Sequence, residues 1–223
     1  MKKQILNLFL VTAVALGAVS CKNNQESAEE TLVLEEINEE VESRDFVIDA
    51  QNSTIKWEGY KPGTTHDGLV ALKEGKFILK DNQIVEGSFV IDMASIEVLD
   101  LEGEYKERLE KHLTGHLEGT EGQFFDVGEF PTANFKVKGT SIVEGQTFLV
   151  GDLTLKEKTN EVSFPIEVEM VDNDVVSIKA APFKIDRSEW DIKFKSKSFF
   201  ENLGDNFISD DIQLEIELVA KGQ

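Results

Sequence analysis

The sequence predicts an all-β domain with one helix, built as an antiparallel up-and-down β-barrel of about eight strands. Three observations support this prediction: apolar and polar residues alternate along most of the chain after Asp45, polar turns separate the alternating stretches, and one segment has helical spacing instead. In residues 162–170 every second residue is apolar, as in a strand with one wet and one dry face. A sheet of this many strands can bury its apolar face by closing into a barrel, which also removes its edges.

The first 20 residues have the pattern of a secretory signal. Lys2 and Lys3 precede an uncharged, mostly apolar run over residues 5–19. As a helix, this run would be about 22 Å long, which is shorter than a bilayer core. It ends in small residues before Cys21, the only cysteine of the chain, and this junction resembles a bacterial lipobox.

The lipobox resemblance implies that cleavage leaves Cys21 as the first residue of the mature protein, with a diacylglycerol on its thiol. We therefore expect a membrane-anchored lipoprotein of the bacterial cell envelope, at the periplasmic or surface face of the outer membrane. The alternative is an ordinary secretory signal with an unrelated cysteine beside its cleavage site. Because the chain has one cysteine, the mature domain has no internal disulfide.

Residues 21–45 are predicted to form an acidic flexible tether. Residues 22–45 contain nine acidic and two basic side chains and no aromatic residue, which is typical of a solvated spacer. A short amphipathic turn through Leu34, Ile37 and Val41 is the alternative. The whole chain has a formal charge of −20, which disfavours binding to nucleic acid and to an anionic membrane surface.

The remaining residues, 46–223, are predicted to form the barrel domain. The predicted strands lie near residues 46–49, 54–60, 68–80, 83–93, 132–140, 146–156, 161–171, 175–185 and 208–219. Between residues 100 and 117 apolar residues recur at a spacing of four, which predicts the helix. This apolar stripe consists of Leu101, Tyr105, Leu109, Leu113 and Leu117. Residues 186–209 contain five aromatic residues with little alternation, and we expect this segment and the helix to cover the barrel as a lid or a fixed plug.

A barrel of eight strands either is filled by side chains or encloses one small ligand. Fifteen Phe and two Trp residues supply an apolar lining. Gly59, Gly87, Gly139 and Gly151 fall inside predicted strands, where they either leave room in the interior or allow the strands to bend.

Several motifs, in order, resemble the YceI-like family over nearly all of residues 46–220. They include the opening strand with Trp57, the Gly, Asp and Ser-Ile run of residues 87–96, and residues 124–135 with Phe-Phe-Asp-Val and Phe-Pro-Thr-Ala-Asn-Phe. Residues 151–155 and 183–187 complete the match. His66-Asp67-Gly68 is similar to a branch common among lipoproteins of the Bacteroidetes type.

The resemblance implies a lipocalin-like barrel that binds a polyisoprenoid. We therefore expect an apolar isoprenoid-like or quinone-like lipid in the lumen, no other cofactor, and a role as carrier or store of that lipid in the envelope. A non-catalytic envelope interaction or stress module with a filled barrel is the alternative. The residues expected to bind the ligand are Trp57, Phe77, Gly87, Phe89, Ile91, Phe135, Gly151, Leu153, Phe164 and Phe183.

Enzymatic activity is not expected. His112 and His116 lie four residues apart on the predicted helix, a spacing that can hold a metal ion, but no Glu follows the first histidine. We expect a solvated or helix-capping role for both, and no metal site. Asp186 and Arg187 are expected to form a structural ion pair at the end of a strand.

Overall fold

The computed structural model describes residues 42–223. The predicted signal peptide, Cys21 and most of the predicted tether lie outside the described residues. The described part contains one α-helix, α1 (Gly103–Thr114), which is not long and apolar enough to cross a membrane. Its strands are β1 (Arg44–Ile48), β2 (Thr54–Lys61), β3 (Thr64–Lys80), β4 (Gln83–Val98), β5 (Thr132–Val143), β6 (Gln146–Leu155), β7 (Lys158–Pro165), β8 (Glu167–Asp172), β9 (Val175–Asp186) and β10 (Asp211–Gly222).

These ten strands fill eight positions around a barrel. β1 and β2 follow each other along one position between β3 and β10, since each pairs with both of those strands. β7 and β8 share a second position, because β7 pairs with β6 and β8 pairs with β9. Every pair is antiparallel, and neighbouring positions follow each other in sequence except where β10 pairs with β1 and β2. The predicted up-and-down barrel of about eight strands is confirmed.

The strand predicted over residues 161–171 is two strands, β7 and β8. The interruption follows Pro165, which has no amide hydrogen to donate to a neighbouring strand. The next amide, that of Ile166, donates to the carbonyl oxygen of Thr147 at 2.8 Å. At this point the chain changes its partner from β6 to β9, and this change closes the sheet.

The two ends of the barrel differ. At one end, which includes β1 and the turns after β3, β5 and β8, side chains fill the interior. Phe46, Phe77, Ile84 and Val176 are at most 2% exposed there, and we call this the packed end. The opposite end carries α1 and the segment of residues 187–210 between β9 and β10, and we call it the covered end.

α1 is shorter than the predicted helix and presents a different face. It ends at Gly115, which has a φ of 78° and a position where a Cβ would lie 2.7 Å from the Asp126 carboxylate. The predicted apolar stripe is wrong at Tyr105, which is 78% exposed. A spacing of four rotates a stripe by about 40° at each step around a helix. Of the five stripe residues, only Leu109 and Leu113 therefore reach the barrel interior.

Candidate ligand-binding cavity

A cavity of about 650 Å³ lies inside the barrel, toward the covered end. Its wall is mainly apolar and includes side chains from β2 to β7 and from β9 and β10. The volume falls within the range of about 300–1,000 Å³ that is typical of sites for small molecules. Side chains therefore fill the interior at the packed end only, which disfavours the alternative of a wholly filled barrel.

Seven of the ten residues predicted to bind the ligand lie on the cavity wall. They are Trp57, Phe89, Ile91, Phe135, Leu153, Phe164 and Phe183. Contact between these residues and a ligand stays a prediction. The other three, Phe77, Gly87 and Gly151, do not line the cavity. Phe77 belongs to the packed end, where it is 2% exposed.

The glycines inside the strands have three different roles. A Cβ on Gly151 would lie 2.5 Å from the ring of Phe135, and a Cβ on Gly87 would lie 2.9 Å from the Cβ of Phe77. Both glycines thus allow a neighbouring side chain to approach the strand. Gly139, with a φ of 146°, lies at an irregularity in the pairing of β5 with β6. Gly59 alone of the four lines the cavity, and a Cβ there would meet nothing within 4 Å.

A row of phenylalanine rings runs around the inside of the barrel. Consecutive rings have centroids 4.4 to 6.4 Å apart, in the order Phe46, Phe77, Phe89, Phe135, Phe164 and Phe183. These separations are typical of favourable aromatic pairs. The first two rings fill the packed end and the other four line the cavity, so the apolar core continues into the cavity wall.

Aromatic side chains from α1 and the segments around it cover part of the cavity at the covered end. The ring of His112 packs edge-on against Phe124 and Phe194, with centroids 5.0 and 5.3 Å away. All three residues line the cavity, and His112 Nε2 lies 2.7 Å from Oε1 of Gln123. The expected solvated or capping role is therefore wrong for His112. Its position three residues after Leu109, on the same helix face, is the sequence signal that could have located it.

Arg187 holds the two limbs of the segment of residues 187–210 together. Its side chain is 1% exposed and lies 3.3 Å from the carboxylate of Asp210. The guanidinium also donates hydrogen bonds to the backbone carbonyl oxygens of Ile192, Phe194, Ile208 and Ser209. Burial lowers the pKa of Arg187, and the carboxylates of Asp210 and Asp186 oppose this shift. The ion-pair partner is Asp210 rather than the predicted Asp186, which instead accepts the amide hydrogen of Ser188.

Lysine contacts attach both covering segments to the turn between β6 and β7. Lys156, in that turn, donates to the carbonyl oxygen of Phe124 at 2.7 Å. Lys158, at the start of β7, pairs with Asp191 together with Lys193. Hydrogen bonds from these two lysines lower the pKa of Asp191 to about 2. Both covering segments are thus fixed to the barrel at this turn.

The cavity reaches the surface between the β2–β3 turn and the segment of residues 187–210. Its wall is polar and mostly exposed there, and we call this part the mouth. The mouth consists of Tyr60, Lys61, Pro62, Lys195, Asp205 and Asn206. Because the deeper wall is apolar, the site is suited to an apolar chain whose polar end stays at the mouth.

The family model described as the YceI-like domain matches residues 46–220. The chain belongs to the YceI-like family. The family match extends over the same residues as the sequence resemblance and includes every strand that lines the cavity. No curated protein matches the chain significantly.

Solved structures share the fold of this YceI-like domain. BcnA from Burkholderia cenocepacia matches with a TM-score of 0.56 at 17% identity, covering 77% of this chain and 98% of that chain. A polyisoprenoid binding domain from Saccharophagus degradans, implicated in plant cell wall breakdown, matches with a TM-score of 0.54 at 12% identity. That match covers 80% of this chain and 98% of the other. At these identities the likeness establishes a common fold.

The histidines of the YceI-like domain do not converge on a common point. His116 follows the end of α1 and its Nδ1 lies 3.1 Å from Oγ1 of Thr114, whereas His112 contacts Gln123. Within residues 42–223, no three His, Cys, Asp or Glu side chains are grouped as a metal site would require.

Proposed function

We propose that this YceI-like protein binds an apolar isoprenoid-like or quinone-like lipid in its barrel and carries or stores that lipid in the bacterial cell envelope. The observation that supports this proposal most directly is the apolar cavity of about 650 Å³ with its mouth at one end. The domain from Saccharophagus degradans is described as polyisoprenoid binding, which supports the same class of ligand.

The cavity wall would bind a chain through apolar contact rather than through polar recognition. Each methylene moved from water into such a wall contributes about 0.8 kcal/mol, before the cost of immobilising the lipid. Phe164 and Phe183, whose stacked rings have centroids 4.4 Å apart, offer a flat surface to unsaturated isoprene units. Chain length and the shape of the mouth would then determine which lipids bind.

The proposal predicts that the full-length protein, purified from membranes, retains an apolar lipid. Native mass spectrometry should show a species heavier than the polypeptide, and organic extraction should release a polyisoprenoid or an isoprenoid quinone. After delipidation, the protein should take up geranylgeraniol from detergent, because the cavity is preformed. The absence of both a retained lipid and geranylgeraniol uptake would contradict the proposal.

We also propose that Cys21 carries the lipid anchor, with the outer membrane as its location. The Cys21→Ser variant should move from the membrane pellet to the supernatant on ultracentrifugation, because it has no thiol for the diacylglycerol. It should still bind geranylgeraniol, while a Ser27→Ala control should stay in the membrane. A Cys21→Ser protein that sediments with membranes at the level of the unsubstituted protein would exclude this anchor.

A further inference from the structure

The exposed aromatic side chains are concentrated at one end of the barrel. Within residues 42–223, the exposed Phe and Tyr residues are Tyr60, Tyr105, Phe199 and Phe200, with exposed fractions between 48% and 78%. All four lie at the covered end, which contains the mouth. The large exposed aliphatic side chains, apart from Leu99, lie at the packed end instead.

Phe199 and Phe200 follow three lysines at alternate positions, Lys193, Lys195 and Lys197. Lys193 pairs with a carboxylate of the cover. Lys195 and Lys197 are exposed. Lys197 Nζ lies 3.7 Å from the centroid of a partly buried phenylalanine ring, and Lys195 Nζ lies 5.4 Å from that of Phe194. Lys193 Nζ lies 4.5 Å from the centroid of the Phe199 ring, so a lysine contacts one of the two exposed phenylalanines.

The exposed lysines and aromatic side chains of the β2–β3 turn and of residues 187–210 share the surface of the covered end. The ring under Lys197 is that of Phe207, which also contacts the ring of Tyr60 at a centroid separation of 6.4 Å. The backbone carbonyl oxygen of Tyr60 accepts the amide hydrogen of Ser209 at 2.8 Å, so the β2–β3 turn and the lysine segment are held together. We call this surface the docking patch, which consists of Tyr60, Lys61, Lys195, Lys197, Phe199 and Phe200.

We propose that the docking patch binds the surface of an anionic phospholipid bilayer, so that the mouth faces the membrane with which the protein exchanges lipid. This inference rests on the proposed function, because an apolar chain that leaves a bilayer must otherwise cross water. Exposed aromatic rings enter the boundary between headgroups and acyl chains, and neighbouring lysines attract anionic headgroups. The docking patch provides both kinds of side chain beside the opening of the cavity.

The formal charge of −20 does not prevent contact between the docking patch and an anionic bilayer, because only charges near the bilayer surface interact with it strongly. Electrostatic interactions are screened beyond about 8 Å at physiological ionic strength. Glu201 follows Phe200 in the sequence and Asp205 lines the mouth, so two acidic residues accompany the three lysines of the docking patch. The turns of the packed end carry acidic residues, namely Asp81, Glu144, Asp172 and Asp174. An anionic bilayer should therefore favour contact with the docking patch over contact with the packed end.

Site-specific fluorescence tests the proposal in the full chain carrying Cys21→Ser, which leaves one introduced thiol for a polarity-sensitive label. One protein carries Glu201→Cys beside the docking patch, and its matched control carries Asn173→Cys in the turn after β8. With vesicles of equal parts phosphatidylcholine and phosphatidylglycerol, the label at residue 201 should shift to the blue and be quenched by spin-labelled lipid. The label at residue 173 should show neither change, and equal responses at both positions would overturn the proposal.

Variants of the docking patch identify the side chains that bind the vesicles. Phe199→Ser combined with Phe200→Ser should abolish the blue shift at residue 201, while the control pair Val143→Ser and Val171→Ser at the packed end should leave it unchanged. Survival of the shift in the phenylalanine variant would overturn the proposal.

The lysine contribution has its own test, which keeps the proposal falsifiable if the phenylalanine variant misfolds. Lys197→Glu should weaken binding to the anionic vesicles at least tenfold, and vesicles of phosphatidylcholine alone should bind the unsubstituted protein more weakly. Equal binding to both vesicles would overturn the role of the lysines. Uptake of geranylgeraniol from detergent should be unchanged by the phenylalanine substitutions, since neither ring lines the cavity. Loss of that uptake in every protein would instead refute the proposed function.

Discussion

Gly59→Trp is expected to lower the affinity for geranylgeraniol at least tenfold while the barrel stays folded. Gly59 is on the cavity wall, and a Cβ there would meet nothing within 4 Å, so the indole can enter the cavity without a clash. The space that it occupies is lost to the ligand. Displacing about two methylenes, at about 0.8 kcal/mol each, corresponds to roughly tenfold in affinity. The change in affinity is measured by competition between geranylgeraniol and a fluorescent apolar probe in detergent.

The matched control for this substitution is Gly128→Trp. Gly128 is exposed and off the cavity wall, and a Cβ there would also meet nothing within 4 Å. The affinity of the Gly128→Trp variant for geranylgeraniol should therefore stay within about twofold of the affinity of the unsubstituted protein. If Gly59→Trp has an unchanged circular dichroism spectrum and an unchanged affinity, the ligand does not occupy this cavity.

Arg187→Met is expected to lower the free energy of unfolding by about 3–5 kcal/mol, as is usual when one partner of a buried ion pair is removed. The substitution leaves four backbone carbonyl groups without their donor. It also leaves the partly buried Asp210 carboxylate without its counterion. Urea unfolding measures the loss, and the segment of residues 187–210 should become more susceptible to proteolysis.

Lys184→Met provides the comparison for a pair at the surface. Lys184 lies 3.1 Å from Asp211, and the side chains are 60% and 51% exposed, so the loss should stay below about 1 kcal/mol. The loss in the free energy of unfolding for Arg187→Lys should lie between the losses for these two variants. An ammonium group cannot reach all the carbonyl oxygens that a planar guanidinium reaches. Equal losses for Arg187→Met and Lys184→Met would show that Arg187 does not hold the cover.

The strands could be predicted because alternate side chains of each strand face water, which imposes a period of two on the sequence. The same pattern cannot show where a strand changes its neighbour. β7 and β8 therefore appeared as one strand, although Pro165 marked the break. The helix was also located correctly, but its inward face was not. A four-residue repeat drifts around a helix, and the exposed Tyr105 lies outside the face that reaches the barrel.

The ligand site was harder to predict because alternation identifies inward residues but not their height along the barrel. Phe77 and Phe89 are both inward and their rings stack, yet only Phe89 reaches the cavity. Likewise, an inward glycine leaves space only when no neighbouring side chain occupies it. Gly59 satisfies this condition and Gly151 does not, because the Phe135 ring on the neighbouring strand lies against Gly151.

The position of β1 sets a minimum length for the segment between it and the proposed anchor at Cys21. β1 begins at Arg44, at the packed end, whereas the mouth is at the other end. The longest strand, β3, has 17 residues, so a barrel with the usual strand tilt is about 40 Å tall. The chain between Cys21 and Arg44 can extend to roughly 75 Å. A protein anchored at Cys21 could therefore turn over and present its mouth to the same bilayer that holds its anchor, whereas a spacer of fewer than about 12 residues would restrict it to serving an opposing membrane.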